Sequence, residues 1–253
     1  MKQIILLTGY TGYIGSAIYA RLKQSKFYRV IGINTKSLDI TNKEKVMDFF
    51  KKNKPDYIIH TAALLDGTEE ELRKVNVEGT SNIIDAAVKY KCKGMVFSST
   101  LDIYSGSLYG MSKERGEKLL QKSPLKHIIL RYAGVFSKER QNGAIYKFIT
   151  NAKKDMDLRY VYGYTRFTLL DDVVRANIHS IEALKTWIDE NITCEIATEP
   201  ISLRDLAWMI KKITKSKSML IKDPNPFLKI HTLKTSGFFN TTPLEEALRK
   251  VIE

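Results

Sequence analysis

Residues 3–34 read QIILLTGYTGYIGSAIYARLKQSKFYRVIGIN, and this stretch decides the fold of the chain. It opens with the apolar run 3–8, which is typical of a strand that is covered on both faces. Residues 12–24 then have the apolar spacing of a helix, and residues 28–34 form a second apolar run. A strand, a loop, a helix and a strand in this order predict a βαβ unit with parallel strands.

Three glycines mark the loop between the first strand and the helix. Gly9, Gly12 and Gly15 are spaced three residues apart. In such a loop the first glycine permits a tight turn, the second lets the backbone approach a pyrophosphate, and the third lets the helix pack closely on the strand. The helix N-terminus adds free N–H groups and the positive end of its dipole. The segment therefore predicts a dinucleotide site.

The alternation of strands and helices continues along the chain. The predicted strands are 56–61, 94–98 and 127–131, and the predicted helices are 43–52, 69–90 and 109–121. Thr41 is the predicted N-cap of the helix 43–52. The pattern predicts an α/β fold, a Rossmann-type doubly wound parallel sheet.

The order becomes less regular after residue 134, where the sequence predicts a small C-terminal α/β substrate lobe. A helix at 202–214, with Ser202 as its N-cap, belongs to this part. The 253 residues are expected to form one unit. Its core dinucleotide-binding part is residues 1–135, to which residues 171–198 return, and its substrate lobe is residues 136–170 and 199–253.

The composition excludes several classes of function. The net charge is +13, but the lysines are scattered and no nucleic-acid motif accompanies them, so no nucleic-acid partner is expected. No run approaches the ~20 apolar residues that span a bilayer, so no membrane partner is expected. Met1 leads straight into a strand pattern, which is unlike a signal peptide. Cys92 and Cys194 lack metal-ligand spacing, which predicts no metal and a cytoplasmic location.

The end of the second predicted strand bears on the choice of cofactor. An acidic residue at this point binds the adenosine ribose and favours NAD. Here the strand ends Ile33-Asn34-Thr35-Lys36, without an acid. Lys36 can pair with a 2′-phosphate, which predicts NADP, with NAD as the alternative if Lys36 is only a solvated loop residue. Asp39 is better placed for the adenine edge.

Further segments, taken in order, resemble the extended short-chain dehydrogenase/reductase superfamily, in its sugar-nucleotide epimerase, dehydratase and reductase group. The similarity runs nearly from end to end. The segments that carry it are Gly9-x-x-Gly12-x-x-Gly15, Leu38-Asp39-Ile40, residues 55–63 (PDYIIHTAA), residues 76–82 (NVEGTSN), Ser98-Ser99-Thr100, residues 109–113 (YGMSK), and Arg166-Phe167-Thr168 with Asp171-Asp172-Val173.

The resemblance implies a catalytic set of Thr100, Tyr109 and Lys113. Tyr109 would exchange a proton with the substrate oxygen, although a free phenol has a pKa of ~10. Lys113 lies one helical turn further on, and its charge, with that of the nicotinamide, is expected to lower the tyrosine pKa. Thr100 would hydrogen-bond the reacting oxygen, with Ser99 as the alternative. His60 is read as a hydrogen-bonded core histidine.

The resemblance also implies two sets of binding residues. The substrate would meet Thr100, Asp102, Tyr109 and Arg166. The cofactor would meet Gly9, Thr11, Gly12, Tyr13, Ile14, Gly15, Lys36, Asp39, Ile40, Thr61, Ala62, Ala63, Asn76, Ser98, Tyr109, Lys113, Tyr132 and Val135.

Two departures from the family pattern narrow the function. Thr100 is followed by Leu101-Asp102 and not by the Asp-Glu pair of the dehydratases, which disfavours dehydration. The link from Thr100 to Tyr109 is also short, only eight residues, so a more open substrate pocket, or one closed by a partner subunit, is expected.

The sequence therefore predicts an NADP-dependent reductase of a 4-keto sugar nucleotide. An NAD-dependent sugar-nucleotide epimerase is the alternative, and a non-catalytic dinucleotide-binding scaffold is a third reading. By analogy with the family, the helices 69–90 and 109–121 predict a homodimer.

Overall fold

The structure is a computed structural model that describes residues 2–186, 191–224 and 239–253. Parts of two predicted segments, 171–198 and 199–253, therefore lie outside the described residues. In chain order the elements are β1 (Gln3–Thr8), α1 (Tyr13–Lys23), β2 (Tyr28–Ile33), α2 (Lys43–Asn53), β3 (Tyr57–His60), α3 (Glu69–Leu72), a π-helical segment (Arg73–Gly79), α4 (Thr80–Lys89), β4 (Gly94–Thr100), a 3-10 turn (Leu101–Tyr104), α5 (Leu108–Gln121), β5 (His127–Tyr132), β6 (Gly134–Phe136), α6 (Gly143–Ala152), β7 (Leu158–Tyr160), β8 (Tyr164–Thr165), β9 (Phe167–Leu169), α7 (Leu170–Thr186), β10 (Ile192–Ile196), β11 (Ile201–Ser202), α8 (Leu203–Thr214), β12 (Leu220–Lys222) and α9 (Leu244–Ile252).

The central sheet has six strands in the order β10-β5-β4-β3-β1-β2. β1 pairs in parallel with both β2 and β3, and β3 pairs in parallel with β4. The chain runs from β1 to β2 on one side and then returns to β3 on the other side. The carboxyl ends of β1 and β3 thus form the switch point at which open α/β sheets leave a crevice. The predicted doubly wound parallel sheet is confirmed.

Helix boundaries show where local sequence signals succeed and where they fail. Ser202 is confirmed as the N-cap of α8, because its hydroxyl accepts from Asp205 N. The predicted N-cap Thr41 is wrong. Asn42 caps α2 instead, and its side chain accepts from Lys45 N. The hydroxyl of Thr41 is held by a nearer partner, since it donates to Asp39.

The predicted helix 69–90 is interrupted by the π-helical segment. A π-turn carries an extra residue, and such turns are frequent at functional sites.

The chain forms two compact units, the first of which comprises Met1–Arg131 and Val173–Glu195. Its core lies between the sheet and the helices α2, α4 and α5. Fully buried members of this core include Leu6, Ile58, Phe97, Ile83 and Phe50. β3 and β4 are buried on both faces of the sheet. Their sequences are therefore nearly continuous apolar runs.

The second unit comprises Tyr132–Asp172 and Ile196–Glu253. It pairs its short strands two by two, β6 with β9, β7 with β12, and β8 with β11. Its core is formed by α6, α8 and α9, with Phe148, Leu206 and Leu248 among the buried residues. The Asp172 carboxylate accepts from the backbone and the hydroxyl of Thr242, which anchors the chain shortly before α9.

Candidate active site

The glycine loop leaves no room for side chains. A Cβ at Gly15 would lie 2.2 Å from the Gly9 carbonyl oxygen, and one at Gly9, whose φ is +70°, would lie 2.8 Å from Ala62 N. Gly12 N donates to Gly9 O at 3.0 Å, and Gly9 N donates to Ile33 O at 2.8 Å. These contacts fold the loop tightly over the carboxyl end of β1, as a dinucleotide cradle requires.

Helix α1 starts directly behind this loop. Its N-cap is Gly12, which has no side chain to cap the helix, and its first turn contains no acidic residue. The first N–H groups of an α-helix have no partner within the helix, and here no capping side chain competes for them. The loop and the helix end are therefore suited to the pyrophosphate of a dinucleotide.

A cavity of about 300 Å³ opens at the carboxyl ends of β1, β2 and β3. Of the predicted cofactor residues, those that line it are Gly9, Thr11, Gly12, Asp39, Ile40, Thr61, Ala62 and Ala63. The predicted residues of the first unit that lie outside the lining are Tyr13, Ile14, Gly15, Lys36, Asn76, Ser98, Tyr109 and Lys113. Tyr132 and Val135 are buried in the second unit. The lining residues that the sequence analysis did not identify are Thr8, Ile33, Asn34, Thr35, Leu38, Thr41, Leu64 and Val75.

The turn after β2 closes one side of this cavity and contains no carboxylate. Asn34 takes the position directly after the strand, and its Oδ1 accepts from Lys36 N and Ser37 N, both at 3.1 Å. Ser37 returns the contact, since its hydroxyl accepts from Asn34 N at 2.9 Å. The amide of Asn34 was visible in the sequence as a substitute for the usual acid. Lys36 itself is exposed and does not line the cavity.

Asn76, on the π-helical segment, joins two parts of the site. Its Oδ1 accepts from Leu64 N at 2.8 Å, and its Nδ2 donates to Leu64 O at 2.8 Å. Nδ2 also donates to the Ser112 hydroxyl at 2.9 Å, next to Lys113. Both polar groups of Asn76 are thus used by the protein. The side chain fixes the segment after β3, which lines the cavity, against α5.

His60 is the centre of a buried hydrogen-bond chain whose direction is fixed. Thr80 donates its hydroxyl hydrogen to Asn76 O, so it can only accept from His60 Nε2. Nε2 therefore carries the proton, and Nδ1 accepts from the Thr8 hydroxyl at 2.8 Å. The Thr8 oxygen in turn accepts from Ala62 N at 3.1 Å. Burial lowers the pKa of His60 to about 3, so the ring is neutral, as expected for a core histidine.

Thr100 is the last residue of β4, and its hydroxyl oxygen already accepts a hydrogen bond within the protein. Its Oγ1 accepts from Asp102 N at 3.1 Å, at the start of the 3-10 turn. The hydroxyl hydrogen is therefore left to donate elsewhere, for example to a carbonyl oxygen of a substrate. The short link packs tightly on α5, because a Cβ at Gly110 would lie 2.0 Å from Asp102 O.

Lys113 is almost completely buried, with 1% of its surface exposed. Its Nζ lies 4.1 Å from the centroid of the Phe97 ring. Burial lowers the pKa of Lys113 to about 7, and the nearby Glu117 carboxylate partly opposes that decrease. Burying a cation costs free energy. A buried lysine with a lowered pKa is therefore typical of functional sites.

Tyr109 has a different electrostatic environment from the one that the sequence predicted. Burial, with a smaller contribution from the Asp102 charge, raises the pKa of Tyr109 to about 12. The expected decrease caused by Lys113 is therefore not seen in the protein alone, because Lys113 lies over the Phe97 ring and itself loses charge by burial. The phenol is protonated at neutral pH.

A second network under the site was not foreseen from the sequence. The Glu117 carboxylate, 2% exposed, accepts from Arg131 Nη2 at 2.6 Å and from the Ser99 hydroxyl at 2.5 Å. Ser99 is thus engaged in the core, whereas the Thr100 hydroxyl, which accepts from Asp102 N, still has its hydrogen to donate. Arg131 Nη1 donates to the Tyr104 hydroxyl at 2.6 Å and so holds the short link. The spacing of Glu117 from Lys113, four residues along the same helix, was the available signal.

The second unit holds the remaining predicted substrate residue. Arg166 is buried, and its Nε donates to Thr198 O at 2.8 Å. A separate open cavity of about 990 Å³ lies in this unit and is lined by Lys147, Arg159 and Tyr160, among others, but not by Arg166. No helix within the described residues is long and apolar enough to cross a bilayer. The same residues contain no cluster of three His, Cys, Asp or Glu side chains that could bind a metal.

Comparison with known proteins agrees with this geometry. The chain is 30% identical to a dTDP-4-dehydrorhamnose reductase of Aggregatibacter actinomycetemcomitans, over 54% of this chain and 53% of that enzyme. The match thus spans about half the length of that relative. Among solved structures, a dTDP-4-dehydrorhamnose reductase from Clostridium acetobutylicum has a TM-score of 0.79 and 25% identity, over 99% of this chain and 98% of that one.

A UDP-glucose 4-epimerase from Thermotoga maritima, solved with UDP-glucose, has a TM-score of 0.80 at 21% identity, over 99% of this chain and 97% of that one. At this identity the likeness concerns the fold. The model of the NAD dependent epimerase/dehydratase family matches residues 5–192, which is most of the chain. The resemblance inferred from the motifs is thereby confirmed, and the chain belongs to the NAD-dependent epimerase/dehydratase family.

Proposed function

We propose that this protein is an NADP-dependent reductase of a 4-keto sugar nucleotide. The observation that carries the proposal is the turn after β2, where the neutral Asn34 amide stands in the place of a carboxylate. A carboxylate at this point would bind the ribose of NAD and repel the 2′-phosphate of NADP. The N–H groups of Asn34, Lys36 and Ser37 are bound within the turn, so the cation it offers to a phosphate is the exposed Lys36.

The proposed chemistry uses Thr100, Tyr109 and Lys113. The bound dinucleotide supplies a hydride, which goes to the carbonyl carbon of the substrate. Thr100 donates a hydrogen bond to the carbonyl oxygen, and Tyr109 transfers its phenolic proton to the same oxygen, so that an alcohol forms. Lys113 holds the nicotinamide ribose and compensates the charge that Tyr109 acquires.

The protonated phenol of Tyr109 is compatible with the reductive direction. A reductase needs a protonated acid at the start of the reaction, and burial keeps this phenol protonated well above neutral pH. The nicotinamide ring of NADPH is neutral and leaves that pKa high. An epimerase begins with the positively charged ring and needs Tyr109 as a base. The missing Asp-Glu pair after Thr100 also supports a reductase over a dehydratase.

One observation favours the alternative, an NAD-dependent epimerase. Lys36, the expected partner of a 2′-phosphate, does not line the cavity. If Lys36 stays in solvent, nothing but the Asn34 turn selects NADP. A non-catalytic scaffold is the third possibility, and the intact Thr100, Tyr109 and Lys113 set argues against it.

The reaction is tested by following NADPH oxidation with a panel of 4-keto-6-deoxy sugar nucleotides. We expect turnover that Tyr109→Phe lowers by at least about a hundredfold. Tyr90→Phe, the same substitution at the end of α4, serves as the matched control and is expected to keep full activity. Absence of turnover across the panel, together with tightly held NAD released from denatured protein, would favour the epimerase.

The cofactor choice is tested by Asn34→Asp. A new carboxylate near the 2′-phosphate should weaken NADPH binding by at least roughly tenfold and leave NADH binding unchanged or improved. The NADPH affinity of Lys36→Ala measures how much the lysine contributes to binding. Equal affinities for NADPH in wild type and Asn34→Asp would refute the NADP assignment.

Three further features belong to the proposal. The second unit would bind the substrate, for which the cavity near Lys147 and Arg159 is a candidate. The protein would act in the cytoplasm, where Cys92 and Cys194, both buried and neither part of a disulfide, stay reduced. It would form a homodimer through α4 and α5, and light scattering at micromolar concentration tests this, since a monomer would exclude it.

A further inference from the structure

The amino ends of the parallel strands meet at the edge of the sheet opposite the cavity. Backbone hydrogen bonds connect this edge from strand to strand: Gln3 N to Phe27 O, Asp56 N to Ile4 O, Lys93 N to Asp56 O, and Met95 N to Lys126 O. A lysine precedes each of these five strands, β1 to β5. We call Lys2, Lys26, Lys54, Lys91, Lys93 and Lys126 the basic edge.

The positive charge of the basic edge is largely uncompensated. Asp56 pairs with Lys93 at 2.8 Å, and Glu182, which lines a hollow with Lys26 and Phe27, pairs with Lys185 at 2.8 Å. Lys2, Lys26, Lys54 and Lys91 are exposed and make no ion pair in the described part of the chain. The last turns of the neighbouring helices add more cations, namely Arg21, Lys23, Lys51, Lys52 and Lys89.

Stabilisation of helix ends does not account for all of these lysines. Cations at helix C-termini complement the helix dipole, which explains those in the last turns. Lys2 and Lys26 precede strands, where no such benefit exists. Lys54 is the C-cap of α2 and Lys91 follows the C-cap of α4, so both can share that benefit, but both adopt a left-handed backbone conformation, with φ of 45° and 58°, in which glycine or asparagine would be less strained.

An exposed aromatic residue lies within the basic edge. Phe27 follows Lys26, its carbonyl accepts from Gln3 N, and 75% of its surface is exposed. An exposed apolar ring next to cations, here Lys26 and Arg21, is typical of surfaces that rest on lipid headgroups, with the ring at the boundary to the acyl chains. The six cations of the basic edge are all lysine, whose hydrated ammonium acts as a point charge.

We propose that the basic edge is a docking surface for an anionic lipid bilayer. Five strands spaced about 4.8 Å apart give an edge roughly 20 Å wide, which suits an extended planar surface. Lysines can also contact nucleic-acid phosphates, but sequence-specific readout needs an element that enters a groove, and the flat strand edge presents none within the described residues. This contact is peripheral and requires no spanning helix. It is independent of the proposed reaction, because the cavity lies at the other end of the strands.

The test uses the full chain and vesicles of phosphatidylcholine with or without about 30% phosphatidylglycerol. We expect sedimentation with the anionic vesicles only, and release by salt, since the Debye length shrinks to about 3 Å at 1 M. The variant Lys26→Gln/Lys54→Asn/Lys91→Asn should lower the partition coefficient by roughly a hundredfold, because each lysine contributes a factor of about five. Asn is chosen at the two left-handed positions to keep the fold intact.

The matched control is Lys138→Gln/Lys154→Gln/Lys217→Gln, which removes the same charge from exposed positions of the second unit. It should change the partition coefficient by less than threefold if the basic edge is the binding surface. Equal losses in both variants, or no binding of the wild type to anionic vesicles, would overturn the proposal. So would tighter binding of a duplex DNA than of vesicles, because the partner would then be a nucleic acid.

Discussion

Replacing Lys113 with Met removes a charge that the fold holds almost entirely out of water. The pKa of Lys113 is about 7 in the folded protein and 10.5 for an ordinary lysine. Each pKa unit corresponds to about 1.4 kcal/mol, so the buried charge lowers the free energy of unfolding at pH 7 by roughly 4 kcal/mol. The lost contact with the Phe97 ring offsets about 1 kcal/mol of that. Lys113→Met should therefore stabilise the protein by roughly 3 kcal/mol while it abolishes the proposed activity.

The lowered pKa of Lys113 also predicts how the free energy of unfolding changes with pH. Between pH 7 and 10.5 the unfolded chain binds more protons at Lys113 than the folded one, so this group makes stability rise with pH. From pH 7 to 9 the free energy of unfolding of the wild type should gain roughly 2 kcal/mol relative to Lys113→Met. Urea denaturation at both pH values measures the difference.

Lys118→Met is the control for this experiment. It lies on the same helix with 60% of its side chain exposed, and it should change stability by less than about 0.5 kcal/mol. If Lys113→Met were less stable than the wild type at pH 7, or if both proteins had the same pH slope, the reasoning on the buried charge would be refuted.

Three further predictions concern the surroundings of the site. Gly110→Ala places a methyl group 2.0 Å from Asp102 O, so it should displace the short link and lower turnover at least tenfold with little change in dinucleotide affinity; an unaffected rate would contradict this. Glu117→Gln breaks a buried ion pair and should destabilise the protein by roughly 3 kcal/mol in urea titrations, and a neutral effect would show that the pair is dispensable. His60 should stay neutral with its proton on Nε2 from pH 5 to 9, so ¹⁵N chemical shifts that titrate near pH 6.5 would disprove the assigned hydrogen-bond chain.

The tight glycine-rich loop before α1 could be predicted from the sequence because its determinants are local. Gly9, Gly12 and Gly15 are needed for a turn and a helix start that lie within seven residues of each other. The motif predicted which residues form the proposed catalytic set, but it did not predict their electrostatics. The pKa of Tyr109 depends on burial and on Asp102, and neither is visible in a tyrosine–lysine spacing of four residues.

The sequence alone determined most of the order of strands and helices, the parallel sheet and the position of the glycine-rich loop, because periodicity and turn residues act over short stretches. Only the tertiary structure decided what happens between distant segments. It placed Lys113 over Phe97, and it fixed the proton of His60 on Nε2, which faces Thr80. It also brought six lysines from segments that are far apart in the sequence to one basic edge. The physical reason is that parallel strands all begin at the same edge, so residues far apart in the chain become neighbours when the sheet forms.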